Sequence, residues 1–241
     1  MGLHLFRFPS VGCMRLIKPK SDKPKDDLAS NVQQECQRPR LENHRAYVGG
    51  LWEEIGNLQF SFLLSQGLRK EHVLMDIACG SLRLGVKVIP YLDPGHYLGI
   101  EKEAILIEKG IREELGESLM SEKRPRLICN ADFDFNQFST YVDMAIAQSL
   151  FTHIPATQIC SCLAMLRPWM KPESRFYATF FESDAEVENP SEPDDHGYFA
   201  YTRSQMEDFG ASQGYSMNYM GSWNHPRNQM ILEYRLDGEK S

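Results

Sequence analysis

The sequence predicts an α/β fold: a doubly wound, mostly parallel sheet with an antiparallel last strand, preceded by a helical segment. Three observations carry this. Short apolar runs of strand character alternate with stretches of helical period, the pattern of a parallel sheet covered on both faces. The run Val73-Leu74-Met75-Asp76-Ile77 ends in the small residues Ala78-Cys79-Gly80-Ser81 and passes into an apolar-periodic segment reaching Tyr91-Leu92. Such a strand–turn–helix step presents backbone N–H groups and a helix N-terminus to a ligand. The last two strands follow one another without a helix, which suggests one antiparallel member.

Taken in order, folding is expected to begin near Leu41. Residues 44–64 are mostly helical in period, and Gly67 closes the helix as a residue able to turn left-handed would. Because this leader precedes the first strand (73–77), it is expected to pack over the ligand edge of the sheet. Strand two is 96–101, ending in Glu101. A helix over 104–115 places Ile105, Leu106, Ile111 and Leu115 on its apolar side. Residues 126–129 form strand three, 141–146 strand four, and 155–166 a helix with Pro155 suited to its first turn. Strand five is 176–181, a helix lies near 204–209, and 215–219 and 230–234 are the final strands. Residues 1–40, with their Lys-, Pro-, Asp- and Gln-rich stretch 18–40, read as a disordered tail. Residues 41–241 read as one domain, made of the leader (41–70), a core (71–182), an acidic loop (183–202) and the C-terminal strands (203–241).

Composition narrows the function classes. The 241 residues carry 26 basic and 33 acidic side chains, a net charge of −7. That balance argues against a broad nucleic-acid surface, which needs clustered Lys and Arg. The six cysteines lack metal-site spacing. Cys79 and Cys129, in apolar strand contexts, read as buried reduced thiols, so a cytoplasmic setting and no metal are expected. No run of 18 apolar residues offers a membrane span.

The loop is not the dinucleotide fingerprint, since Ala78, Gly80 and Arg83 stand where that pattern places three glycines. Asp76-x-Ala78-x-Gly80 instead resembles the first motif of class I S-adenosylmethionine-dependent methyltransferases, with Ala78 in place of the usual glycine. A methyl group there is tolerated if φ is negative. Tyr47-Val48-Gly49-Gly50-x-Trp52, Gly80-Ser81-Leu82-Arg83, Tyr97-Leu98-Gly99-Ile100-Glu101, Gln148-Ser149-Leu150-Phe151-Thr152-His153-Ile154 and Trp223-x-His225-Pro226-Arg227-x-Gln229 extend the resemblance to a bacterial-type, small-molecule subgroup over about residues 44–235. The resemblance implies a seven-stranded sheet, S-adenosylmethionine as cofactor over the C-terminal ends of the first strands, and a small-molecule methyl acceptor whose reacting atom it does not name. Asp76, Ala78, Cys79 and Gly80 then belong to the cofactor loop. Glu101, some 25 residues beyond Asp76, is placed to accept both ribose hydroxyls. Asp132 brackets the adenine, with Phe133 or Lys102 against a ring face, and Gln148 closes the site after strand four. A non-catalytic, cofactor- or partner-binding member of the same fold is the alternative. A nicotinamide oxidoreductase is disfavoured by the missing glycine pattern.

Acceptor-side candidates are less defined. His153 is a candidate base because a free imidazole titrates near neutral pH, although Thr152 and His153, just before Pro155, are read first as helix caps. Tyr47 and Trp52 are either packing aromatics or part of a lid. Tyr198, after the acidic loop, is a candidate pocket wall. His225, a second candidate base, and Arg227, suited to a carboxylate, sit in the link between the last strands, which is equally a Pro-stiffened turn.

Overall fold

The computed structural model describes residues 42–238. The expected tail 1–40 lies outside them. Two helices lead, α1 (His44–Tyr47) and α2 (Trp52–Ser65), followed by β1 (Leu74–Ile77), α3 (Gly85–Val88) and β2 (Tyr97–Glu101). Then come α4 (Ala104–Lys109), a π-helical segment (Gly110–Leu115), α5 (Gly116–Lys123), β3 (Arg126–Cys129) and β4 (Val142–Ala147). The chain finishes with α6 (Ala156–Leu166), β5 (Met170–Glu182), β6 (Ala200–Tyr201), α7 (Arg203–Ser212), β7 (Tyr215–Ser222) and β8 (Met230–Leu236).

The strands are ordered β3-β2-β1-β4-β5-β8-β7, with β6 paired to the end of β5. Every pairing from β3 to β5 is parallel, and β8 runs antiparallel to both β5 and β7. One sheet edge therefore collects the C-terminal ends of β1 to β5, where open α/β sheets bind ligands.

Strand periodicity divides the core. Met75, Ile77, Leu98 and Ile100 pack with Ile159, Leu163 and Leu166 of α6 on one face. Leu74, Tyr97, Met144 and Ile146 pack with Leu63, Leu84 and Val88 on the other. Adjacent residues on a strand face opposite ways, so a strand covered twice is apolar throughout. Each such side chain contributes about 1.5–3 kcal/mol. Gly67 follows the end of α2 with φ 86. Thr202 and Gln205 form a reciprocal capping box at the start of α7, with bonds of 3.1 and 2.9 Å.

Three expectations are corrected. The helix after β2 runs on to Lys123 instead of stopping at Leu115. The fifth strand has 13 residues, starting at Met170, and its far end gains β6 as a neighbour. Cys129 is exposed, whereas Cys79 is buried as expected. Among the described residues no helix is long and apolar enough to cross a membrane.

Candidate active site

The loop after β1 is held in left-handed turns, with φ of 59 at Ala78, 55 at Gly80 and 69 at Leu82. The negative φ that would have accommodated Ala78 comfortably is not adopted. The loop's backbone is fastened to β2 instead. Cys79 N–H donates to the Ile100 carbonyl at 3.0 Å, and Gly80 N–H to Glu101 Oε2 at 2.9 Å. Glu101 Oε1 also accepts the Glu103 N–H at 3.1 Å. Burial pushes the Glu101 carboxyl upward in pKa, and these N–H bonds oppose the shift. Asp76 is fully enclosed and accepts the Tyr97 hydroxyl at 2.6 Å. Burial raises its pKa to about 7, against the pull of that bond and the Arg83 charge. At Gly80 a Cβ would stand 3.1 Å from Val48 Cγ1, so the leader presses directly on this loop.

Helix α1 is tied down by its own polar residues. His44 Nδ1 lies 2.8 Å from Ser81 Oγ, its Nε2 lies 3.1 Å from Glu114, and Arg45 grips Glu114 through two bonds. Between α1 and the sheet edge opens a cavity of about 610 Å³, within the range of roughly 300–1,000 Å³ usual for small-molecule sites. Asp76, Ala78, Cys79 and Gly80 form its floor, and Glu101, Lys102, Asp132 and Phe133 continue along the tips of β2 and β3. Gln148 lines the β4 side, with His153 beyond it. Tyr47 and Arg227 line it from the leader and from the β7–β8 link. The acidic loop touches the rim: Asp195 pairs with Lys102 at 2.7 Å, and the His196 ring lies 5.9 Å from that of Tyr47. Most of that loop, including Glu186, Val187 and Glu188, is exposed.

Three candidates stand apart from the cavity. Trp52 is buried under α1, edge-on to His44 with Arg45 over its ring, and serves packing. Tyr198 is 64% exposed and stacks on Phe181. His225 is stacked on Trp223, accepts the Arg227 N–H at Nδ1 and meets Gln148 at 3.3 Å. Burial, with the charges of Arg83 and Arg227, lowers its pKa to about 4, and the ring faces the Gln148 amide nitrogen and not the cavity.

His153 does not cap α6. The helix starts after Pro155 without a side-chain cap bond, and Thr152 donates back to the Ser149 carbonyl. His153 Nδ1 sits 3.0 Å from the Gly197 carbonyl oxygen. That contact places the proton on Nδ1, which leaves Nε2 as the basic nitrogen of the neutral ring. Burial lowers the His153 pKa, so the neutral form is favoured.

Arg83 and Gln59 also line the cavity and were not singled out by sequence. Arg83 donates from Nη1 to the Val48 and Gly50 carbonyls, each at 3.1 Å, and from Nη2 to Gln148 Oε1 at 2.6 Å. Its signal was an arginine inside an otherwise apolar periodic stretch, where a charge needs partners.

No protein-family model matches the chain. Among solved structures, the chain is similar to magnesium protoporphyrin IX methyltransferase from Synechocystis, crystallised with S-adenosylmethionine. The identity is 13%, the TM-score 0.61, and the match covers 90% of this chain and 100% of that one. It is also similar to the methyltransferase CcbJ from Streptomyces caelestis, with 10% identity, a TM-score of 0.59 and coverage of 76% and 90%. The glycopeptide N-methyltransferase MtfA matches at 12% identity and a TM-score of 0.58, with coverage of 77% and 90%. At such identities the likeness is one of architecture: the chain has the class I S-adenosylmethionine-dependent methyltransferase fold.

Proposed function

We propose that this protein transfers a methyl group from S-adenosylmethionine to a small-molecule acceptor. The observation that carries the reading is Glu101: a carboxylate at the tip of β2, oriented by the Gly80 and Glu103 N–H groups and lining the cavity. The cavity's chemistry fits the cofactor. A carboxylate suits ribose hydroxyls, Phe133 and Leu106 offer apolar surface to a base, and Gly80, at φ 55, keeps the loop free of a side chain that would press on Val48. When bound, the cofactor supplies an electrophilic methyl group on a sulfonium centre.

The chain's own part is positioning and exclusion of water, since methyl transfer is an in-line displacement that gains most from aligned reactants. Val48 and Tyr47 cover the loop, and Gln148 faces the acceptor side. His153 Nε2 is the lone pair available for an acceptor proton where the acceptor is a hydroxyl or acid.

Glu101→Ala should lower affinity for S-adenosylhomocysteine at least tenfold in titration calorimetry, since it removes two charge-assisted bonds worth about 1.5–3 kcal/mol each. Unchanged affinity removes Glu101 from the site. Wild-type binding of NAD in preference to S-adenosylhomocysteine overturns the reading altogether. A turnover screen over hydroxyl, amine and carboxylate acceptors then tests catalysis, and cofactor binding without any turnover favours the non-catalytic alternative. On an acceptor that loses a proton, His153→Ala should slow turnover by about 10²–10⁴ with cofactor affinity intact. Equal turnover would dismiss it as base.

A further inference from the structure

The rim of the cavity is crossed by an arm with a firm stem and a lightly held tip. At the stem, the Asn189 side chain takes the Ala200 N–H at 3.0 Å and donates to the Ala200 carbonyl at 2.8 Å, so residues 190–199 leave and return at one point. There β6 pairs with the end of β5. Phe199 is fully buried, and its N–H donates to the Thr152 carbonyl at 3.1 Å. The Asp194 N–H donates to the His153 carbonyl at 3.0 Å, and Pro190 and Pro193 stiffen the approach to it. The tip, by contrast, reaches over the mouth on side-chain contacts. Pro193, Asp195 and His196 line the cavity. Asp195 meets Lys102 at the tip of β2 through both carboxylate oxygens, at 2.7 and 2.8 Å. The His196 ring stands edge-on to Tyr47 of α1, with 5.9 Å between centres. The Lys102 and Asp195 side chains keep 43% and 37% of their surface in solvent, and exposed ion pairs hold weakly. Parting them strands no charge either: Asp195 returns to water, and Glu103 and Glu101 remain beside Lys102. Weak, solvated contacts at the tip and buried bonds at the stem let the one open while the other stays.

We infer that the Lys102–Asp195 pair is a latch: when it parts, the arm's tip swings away from β2 and α1, and a ligand passes in or out beneath it. The identity of that ligand rests on the proposed function; the latch does not. An ion pair between two protein groups on the rim alters the barrier to passage in both directions alike. A group that touches the ligand alters how tightly the ligand is held.

The test uses the full chain and S-adenosylhomocysteine as probe, with association and release rates measured separately by stopped-flow mixing. In Asp195→Asn both rates should rise together, by about two- to fivefold, the reach of an exposed ion pair, and affinity should stay near that of the wild type. Raising salt from about 0.01 to about 1 M shortens the screening length from roughly 30 to 3 Å. The wild type should then speed up in the same way, and Asp195→Asn should respond little. Lys102→Glu sets two acids against each other and should open the arm further; adding Asp195→Lys restores an opposite pair and should bring both rates back down. Rates unmoved in Asp195→Asn overturn the latch, as does a double variant no slower than Lys102→Glu alone. A release rate that rises by itself, with affinity falling to match, also overturns it and makes Asp195 a ligand contact. Where the wild type fails to bind S-adenosylhomocysteine, the proposed function falls and amide hydrogen exchange on the protein alone decides the latch. Residues 193–197 should then exchange about two- to fivefold faster in Asp195→Asn, with α7 unchanged, and equal exchange overturns it.

Discussion

Single residues show both how far the site could be read and where that reading fails. Asp76, Glu101 and Gln148 were legible because a polar side chain ending an apolar strand has few places to go other than the sheet's ligand edge. Trp52 and His225 were not, because the direction an aromatic ring turns is decided by tertiary neighbours: His44 and Arg45 claim the one, Trp223 and Gln148 the other. The partners of Arg83 stayed hidden because two of its acceptors are main-chain carbonyls, which no side-chain pattern displays. Ala78 departs from the expected glycine and also adopts the glycine conformation, φ 59. A left-handed non-glycine residue costs about 1–2 kcal/mol, while glycine loses about 0.5–1 kcal/mol more chain entropy on folding. Ala78→Gly should therefore raise stability by roughly 0.5–1 kcal/mol, seen as a higher urea midpoint at unchanged slope. A lower midpoint would mean that the surrounding bonds favour alanine.

Two element boundaries were misjudged where polar residues or a glycine interrupted an apolar run. Lys171-Pro172-Glu173-Ser174 hides the first third of β5, because its polar groups are satisfied locally and by β4: Ser174 Oγ takes the Lys171 N–H and donates to the Val142 carbonyl. Gly116 reads as a helix end, yet the chain turns there at φ 79 and continues as α5. The π-helical segment has a use that periodicity conceals. It begins at Gly110, where a Cβ would come within 2.6 Å of the Ser81 carbonyl oxygen and 2.8 Å of Leu82 Cγ. The segment thus rests on the cofactor-side loop by its backbone. Gly110→Ala must push loop and helix apart, at about 1–3 kcal/mol by the usual cost of overpacking. Because that loop carries Gly80, affinity for S-adenosylhomocysteine should fall together with the melting temperature. A melting loss with affinity intact would show that the helix yields and the loop does not.

Across the whole molecule, the alternation of strands and helices specifies a parallel sheet, and its C-terminal edge gathers polar groups that the core cannot solvate. That concentration has a thermodynamic signature. Asp76 titrates near 7 in the folded protein against an ordinary value of 3.8, so between these pH values the folded chain holds more protons and stability falls as pH rises. His225 titrates near 4 against an ordinary 6.5, so over that window the unfolded chain holds more protons and stability rises with pH. Each contribution is bounded at roughly 3–4.5 kcal/mol. Glu101, raised by burial, adds to the first, and His153 and His72, lowered by burial, add to the second. The two slopes oppose one another between about pH 4 and 6.5. Asp76→Asn removes the falling contribution, so relative to wild type its urea midpoint should climb as pH increases from 4.5 to 6.5. His225→Gln removes the rising one, so its midpoint should decline relative to wild type over the same interval. Variant profiles running parallel to the wild type would show that neither group is desolvated as the fold implies.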